Sequence, residues 1–377
     1  MSNLDGSRKL TPDADMQRAC EAKTRTLRPI DLGGVRLEVP VIVAPMSGVT
    51  DLPFRQLARR LGAGLVVSEM IASWAMIHEN AATLRMAEVT QDGGPNAVQL
   101  AGCDVGAMSK AAQIAVDRGA GMIDINFGCP VKKVAVGQMA GSALMRDEAL
   151  AGKLLEAVVR SVDVPVTLKM RMGWDHQSLN APVLAGIAEQ SGIRMVTVHG
   201  RTRQQFYTGT ADWSFVRQVK QATTLPVVVN GDITSVAAAE QALAESGADG
   251  VMIGRGCYGR PWLPAQVAAA LTGGAPIADP DLETEKSIVL EHYQSMLMHF
   301  GRLPGLRLAR KHVSWYSAGL IDSAIFRAAF NKVDDADVAI LMISEFYDRQ
   351  IALGIGRKPR IAHASADAST ATMSEAA

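Results

Sequence analysis

This 377-residue chain predicts an α/β fold: a (β/α)8 TIM barrel followed by a small all-helical C-terminal domain. Three observations predict it. Short runs rich in β-branched residues recur along the chain, each followed by a helical pattern, which means βαβ units and a parallel sheet. Eight such runs close into a barrel more readily than they spread into an open sheet. Nearly every run also begins apolar and ends on a polar, reactive or small residue. In a barrel all eight such ends meet at one mouth, where active sites form; an open sheet concentrates them at one switch point.

Residues 1–28 mix charges with Pro and polar residues, lack periodicity, and are expected to be a mobile extension. Residues 30–39 suggest a short hairpin that plugs the barrel bottom. The predicted strands are VIVAPM (41–46), LVVSEM (65–70), AVQLAG (97–102), MIDINFG (122–128), VPVTLKMR (164–171), MVTVHG (195–200), PVVVNGD (226–232) and GVMIGR (250–255). Helical segments between them include 52–61, 104–118, 147–161, 213–221 and 234–245. The barrel is thus expected over 29–271, with a turn-rich linker, TGGAPIADPDLE, at 272–283. Over 284–355 apolar residues fall at helical spacing, including Ile288, Tyr293, Met296 and Phe300, then Val338, Leu341, Met342, Phe346 and Tyr347. The Ala/Ser/Thr-rich stretch 356–377 is expected to be disordered.

Composition narrows the partners. Hydrophobic residues make up 48% and charged residues 20%, which suits a sheet buried on both faces. Lys+Arg and Asp+Glu cancel at 38 each, so any contact with a polyanion must use local patches. Cys20, Cys103, Cys129 and Cys257 form no CxxC pair and no metal-ligand spacing, so no metal is expected. The same cysteine pattern suggests a reduced, cytoplasmic protein, and no hydrophobic signal core or apolar run long enough for a bilayer stands in the sequence, so no membrane contact is expected.

The strand ends carry the candidate chemistry. The loops after strands seven and eight of a barrel often hold a phosphate; here they contain Asn230, Gly231 and Asp232, and Gly254, Arg255 and Gly256. Gly254, Gly256 and Gly259 also spell GxGxxG, but on the last strand, where no following βα unit supports a dinucleotide fingerprint. Lys169 stands late in an apolar strand, either as a paired structural lysine or as a cation for a cofactor or substrate. His199 and Gln99 suit hydrogen bonds to a ring, or second-layer support. Cys129, followed by Pro130 at a strand end, is either a small buried hydrophobe or a general acid, since a thiol is mostly protonated at neutral pH. Lys132, Lys133, Arg171, Arg201 and Arg203 add positive charge beside the mouth, as a solvated rim or, with Arg307, Arg310 and Lys311, as a groove for a phosphate backbone.

The ordered set APMSGVTDLPFR (44–55), VQLAG (98–102), INFGCPVKKV (125–134), AGSALMRD (140–147), LKMR (168–171), VHGRTRQQFYTG (198–209), NGDI (230–233), GVMIGRG (250–256) and RKHVSWY (310–316) closely resembles the bacterial tRNA-dihydrouridine synthases of the DusB type. The resemblance runs from about residue 28 to 350. It implies tightly bound FMN, reduced by NADPH or NADH, that passes hydride to C6 of specific tRNA uridines. It implies that Cys129 protonates C5 and that Asn126 lies near the uracil. Family flavin contacts map onto Pro45, Met46, Ser47, Gln99, Lys169, His199, Asn230, Gly231, Asp232, Gly254 and Arg255. The helical domain is implied to help bind tRNA. Leu52 and Ser47 depart from the residues, Arg and Ala, that relatives commonly show. Two other readings stand beside this one: an FMN barrel that reduces or oxidises a small free pyrimidine, and a noncatalytic RNA-binding regulator.

Overall fold

The computed structural model describes residues 26–90 and 92–354. Most of the expected N-terminal extension, Cys20 and the expected disordered tail lie outside the described residues. Leu27, inside the extension expected over 1–28, is buried, and its N–H donates to Leu271 O at 2.7 Å.

Strands β1 (Ile30–Asp31) and β2 (Arg36–Leu37) form an antiparallel hairpin. The barrel strands are β3 (Val41–Val43), β4 (Leu65–Ala72), β5 (Asn96–Ala101), β6 (Ile123–Phe127), β7 (Val166–Arg171), β8 (Met195–His199), β9 (Val227–Asn230) and β10 (Gly250–Ile253). They close in the order β10-β3-β4-β5-β6-β7-β8-β9, every pair parallel. The helices are α1 (Leu52–Arg60), α2 (Ser73–Ile77), α3 (Ala81–Ala87), α4 (Val105–Asp117), α5 (Glu148–Ser161), α6 (Ala181–Gln190), α7 (Trp213–Gln221), α8 (Val236–Ser246) and α9 (Leu263–Leu271) around the barrel. Then follow α10 (Leu282–Phe300), α11 (Arg302–Ser317), α12 (Ser323–Phe330) and α13 (Ala336–Leu353). Asp104, Asp147, Asp212 and Ser235 each accept an N–H of the first helical turn, which starts α4, α5, α7 and α8 just past a strand-end loop.

The period of two along each strand sorts its residues. Val41, Val43, Ile123, Ile125, Phe127, Leu168, Met170, Val196 and Val198 point outward into one core shared with the helices. Ile42, Leu65, Val67, Ala97, Met122, Met195, Val228 and Met252 point inward and fill the lower lumen with the hairpin residues Ile30, Leu32 and Leu37. Burying each of those hairpin side chains contributes roughly 1.5–3 kcal/mol, so the hairpin seals the bottom as expected. Above that apolar floor the inward positions turn polar: Gln99, Asp124, Asn126, Thr167, Lys169, Arg171, Thr197, His199 and Asn230.

The C-terminal helices share a second core, in which Leu57 of α1 and Trp262 pack with Ile288, Tyr293, Leu306, Tyr316 and Phe346. Four helices build this part, α11 and α12 lying between the two whose apolar spacing stands out in the sequence. Of the apolar residues at helical spacing there, Val338 and Leu341 are exposed, while Phe346 and Tyr347, with Ala339 and Ile343, are buried on the opposite stripe of α13.

Candidate active site

Adjacent barrel strands place the lumen residues in register. Asp124 of β6 lies beside Gln99 of β5 and Thr167 of β7. Thr167 Oγ1 donates to Asp124 Oδ1 at 2.6 Å, and Gln99 Nε2 donates to Asp124 Oδ2 at 2.7 Å. Asn126 Nδ2 donates to Gln99 Oε1 at 2.8 Å. Asn126 Oδ1 in turn accepts the N–H of Gly128 at 3.0 Å and of Cys129 at 2.8 Å. One hydrogen-bonded chain therefore runs from the buried Asp124 carboxylate to the backbone of the thiol. Burial raises the Asp124 pKa despite these donors.

Cys129 caps this chain at the start of the β6 loop. Ser142 Oγ donates to Cys129 O at 2.8 Å and Ser142 N–H at 3.2 Å, which folds the 141–146 turn back over it. Burial pushes the thiol up, against the fields of Arg171 and Lys169, so it is protonated at neutral pH. Cys257, fully buried with its pKa pushed up to about 12, is an inert packing thiol. The described cysteines are all free.

Lys169 pairs in register with Asn126 and Thr197. Among the described residues its ammonium takes no hydrogen bond or ion pair, although protein surrounds it on most sides. Burial first, then Arg171, lowers its pKa to about 8. His199 stands beside Asn230, and burial together with Arg171 and Lys169 keeps its imidazole neutral. A Cβ on Gly231 would lie 2.7 Å from His199 Cδ2 and 2.7 Å from Ala211 Cβ, and its φ of +114° is one that L side chains rarely adopt. Glycine lets the loop after β9 close against the ring.

Three of the cations expected on the rim or in the groove are spent on protein partners instead. Arg171 is buried: its Nε donates to Gly128 O, and its Nη1 to Thr202 O and Phe206 O, each at 2.8 Å. Arg201 is buried and holds Asp232 through two hydrogen bonds at 2.9 and 2.7 Å, besides Thr208 O and Gly209 O. Both are clamps of the loops, because their stems leave the strand ends pointing inward. Arg310 donates to Val333 O at 2.8 Å and Asp334 Oδ1 at 3.0 Å, which ties α11 to the turn before α13. Lys132, Lys133 and Arg307 are exposed, and Arg203 is half-buried. Asp232 spends its carboxylate on Arg201, on the Ala211 N–H at 2.8 Å and on Arg255 at 3.3 Å.

The opening loop of the mouth, with Pro45, Met46 and Ser47, is fixed from two sides. Gly48 N–H donates to Glu69 in a short contact, and Thr50 Oγ1 accepts the Met46 N–H at 2.9 Å. Asp51 caps α1 through the Phe54 N–H at 3.0 Å. A Cβ on Gly48 would lie 2.9 Å from Lys311 Nζ, so a lysine of the helical domain reaches the barrel mouth. Burial raises the Asp51 pKa to about 7 and raises that of Glu69; Lys311 opposes both shifts. Asp124, Thr167, Asp51 and Arg55 were not singled out from the sequence. The alternation in MIDINF already set Asp124 on the face of Asn126.

The family model described as Dihydrouridine synthase (Dus) matches residues 42–351. The chain belongs to the dihydrouridine synthase family. Over 319 residues it is 55% identical to a probable tRNA-dihydrouridine synthase of Rickettsia bellii, covering 84% of this chain and 98% of that relative. Over 328 residues it is 44% identical to tRNA-dihydrouridine synthase B of Pseudomonas aeruginosa, covering 87% and 98%. A solved histamine dehydrogenase from Rhizobium sp. 4-9 shares the fold, with a TM-score of 0.52 at 12% identity, over 87% of this chain and 64% of that one. Family membership settles the fold and turns the lumen of this dihydrouridine synthase family member into the place to look for its chemistry. Among the described residues no helix is long and apolar enough to cross a membrane, and no His/Cys/Asp/Glu group is arranged to hold a metal ion.

Proposed function

We propose that this chain reduces the C5–C6 double bond of specific uridines in tRNA to 5,6-dihydrouridine. The observation that carries the reading is the position of Cys129, whose backbone Asn126 holds at the mouth of a lumen that also contains Lys169 and His199; burial favours its protonated thiol. Held in this lumen beside Lys169, FMN reduced by NADPH or NADH would supply the hydride for C6 of the uracil. Cys129 Sγ–H gives its proton to C5 and regains one from water, which completes the addition. Neutralising charge at the developing carbanion is general-acid work, worth about 10²–10⁴ in rate.

The residues present fit FMN. The Lys169 ammonium is aimed into the lumen with no partner of its own, a donor for the electron-rich edge of a flavin pyrimidine. The neutral His199 ring, Gln99, Asn230 and the Met46 loop line the same cup. Gly231, Gly254 and Arg255 supply a close-approach backbone and a cation for its phosphate; Asp232 serves there through its backbone, since its carboxylate is engaged. The barrel over 29–271 is thus the catalytic part and the helices from Leu282 to Leu353 the part that helps seat tRNA, in the cytoplasm. A free pyrimidine would need no such appendage.

Deleting the gene and mapping dihydrouridine site by site in host tRNA by mass spectrometry tests the reading. The expected result is loss at defined positions, restored by the wild-type chain. If the purified protein with FMN, NADPH and unmodified tRNA forms no dihydrouridine, the proposal fails.

A further inference from the structure

The loops after β6, β7 and β8 meet around one aromatic ring. Arg146, at the end of the β6 loop, holds its Cζ 4.8 Å from the centre of the Trp174 ring, and Arg203 of the β8 loop holds its own 4.7 Å away. Trp174 is half-buried and Arg146 exposed. Among the described residues neither arginine takes an ion pair, whereas their neighbours Arg201 and Arg255 are both matched by Asp232. Arg203 Nε is moreover buried with no acceptor.

This arrangement is rigid. Arg203 N–H donates to Gly173 O and Gln204 N–H to Trp174 O, each at 2.9 Å, so the β7 and β8 loops are sewn together. Asn180 Nδ2 joins the β6 loop to the same unit through Met145 O at 2.7 Å. Gly173 has no room for a side chain, since a Cβ would meet Ser178 O at 1.8 Å. A second exposed ring, Tyr207, sits nearby with Arg171 and Arg255 at 5.8 and 5.3 Å. On a chain with no net charge, two unmatched arginines on a preset tryptophan form a local feature with its own chemistry.

We infer that Arg146, Trp174 and Arg203 form a docking surface for an unstacked, single-stranded nucleotide of the RNA substrate, next to the uridine drawn into the lumen. This rests on tRNA being the substrate. Extruding a uridine unstacks its neighbours. The half-buried Trp174 ring edge and the planar guanidinium groups laid over it offer stacking partners to such bases without reading their sequence, and the arginines meet the adjoining phosphates. The rim of the β6–β8 loops, rather than the buried Arg171 and Arg201, therefore carries the RNA contact on this side of the mouth.

The test is equilibrium binding of a pool of unmodified host tRNA transcripts at several salt concentrations, with flavin content read on the same samples. Trp174→Ala is expected to weaken binding roughly tenfold or more, and Trp174→Phe to restore most of it. Arg146→Gln is expected to lower the slope of log affinity against log salt by about one, and Arg146→Lys to restore the slope. Transcripts bound by Trp174→Ala and Arg146→Gln as tightly as by wild type overturn the inference. So does a Trp174→Ala protein that loses flavin and RNA together, which makes the ring a packing element. A wild-type protein that binds no transcript at low salt overturns the inference and the tRNA reading alike, and so separates the two failures.

Discussion

The side-chain oxygen of Asn126 accepts the backbone N–H of Cys129 at 2.8 Å, so a strand residue, together with Ser142 of the loop, fixes the position of the thiol. Cys129→Ala should lower the rate of uridine reduction by about 10²–10⁴ while flavin stays bound. Asn126→Ala keeps the thiol but strips partners from Gln99, Gly128 and Cys129, at about 1–3 kcal/mol for each buried group left unpaired. The expected outcome is a slower proton step with flavin retained. Quantitative dihydrouridine analysis after single turnover checks both; full activity in Cys129→Ala would sink the proton-donor role.

Lys169 offers a pH test. Its pKa, lowered to about 8, leaves it a cation below that pH and neutral above it. Flavin retention and the rate of flavin reduction should therefore fall as pH rises through about 8. Lys169→Met should show the low level at every pH. A wild-type profile flat from pH 7 to about 9.5 counts against a charged lysine at the cofactor.

Gly231→Ala should push the His199 ring out of place, because the added carbon meets it at 2.7 Å and the backbone there has φ +114°. A loss of about 1–3 kcal/mol of stability and a falling flavin-to-protein ratio are expected. Urea unfolding and absorbance spectra measure the two; a variant that holds flavin as wild type does would show that the loop has slack.

Asp51 makes stability depend on pH with an unusual sign. Its folded pKa of about 7 exceeds the ordinary 3.8, because burial outweighs the Phe54 N–H and the nearby cations. The folded state thus binds the extra proton, and this term weakens the fold as pH rises from about 4 to 7. Asp51→Asn keeps a helix cap without the charge. Its stability relative to wild type should grow by up to about 1.4 kcal/mol per pH unit over that window and then level off. A constant difference across pH would rule out Asp51 as the titrating group.

Much of this molecule is legible in its sequence, and the misplaced cations share one cause. Strand ends announce themselves by composition, so Gln99, Asn126, Lys169, His199 and Asn230 were found, and they share one lumen. The hairpin plug follows from the alternation around Leu37. What composition does not encode is how far a long side chain travels. Arg171 and Arg201 begin beside exposed loops and end inside them, where carbonyls use up their donors. Arg310 and Lys311 are neighbours on α11, yet one is spent on Asp334 and the other crosses to Gly48. Trp174 carried no signal because its partners come from two other loops.

The reach of Lys311 to Gly48 has a practical meaning for anyone who would cut or recombine this chain. A fragment stopped at Leu271 would leave two raised carboxylates, Asp51 and Glu69, without their distant cation, and would uncover Phe54, Leu57 and Trp262, which now touch the later helices. Grafting foreign helices onto the barrel would meet the same gap. The appendage braces the loop at Gly48 and helix α1, so the barrel mouth and the later helices are best altered together.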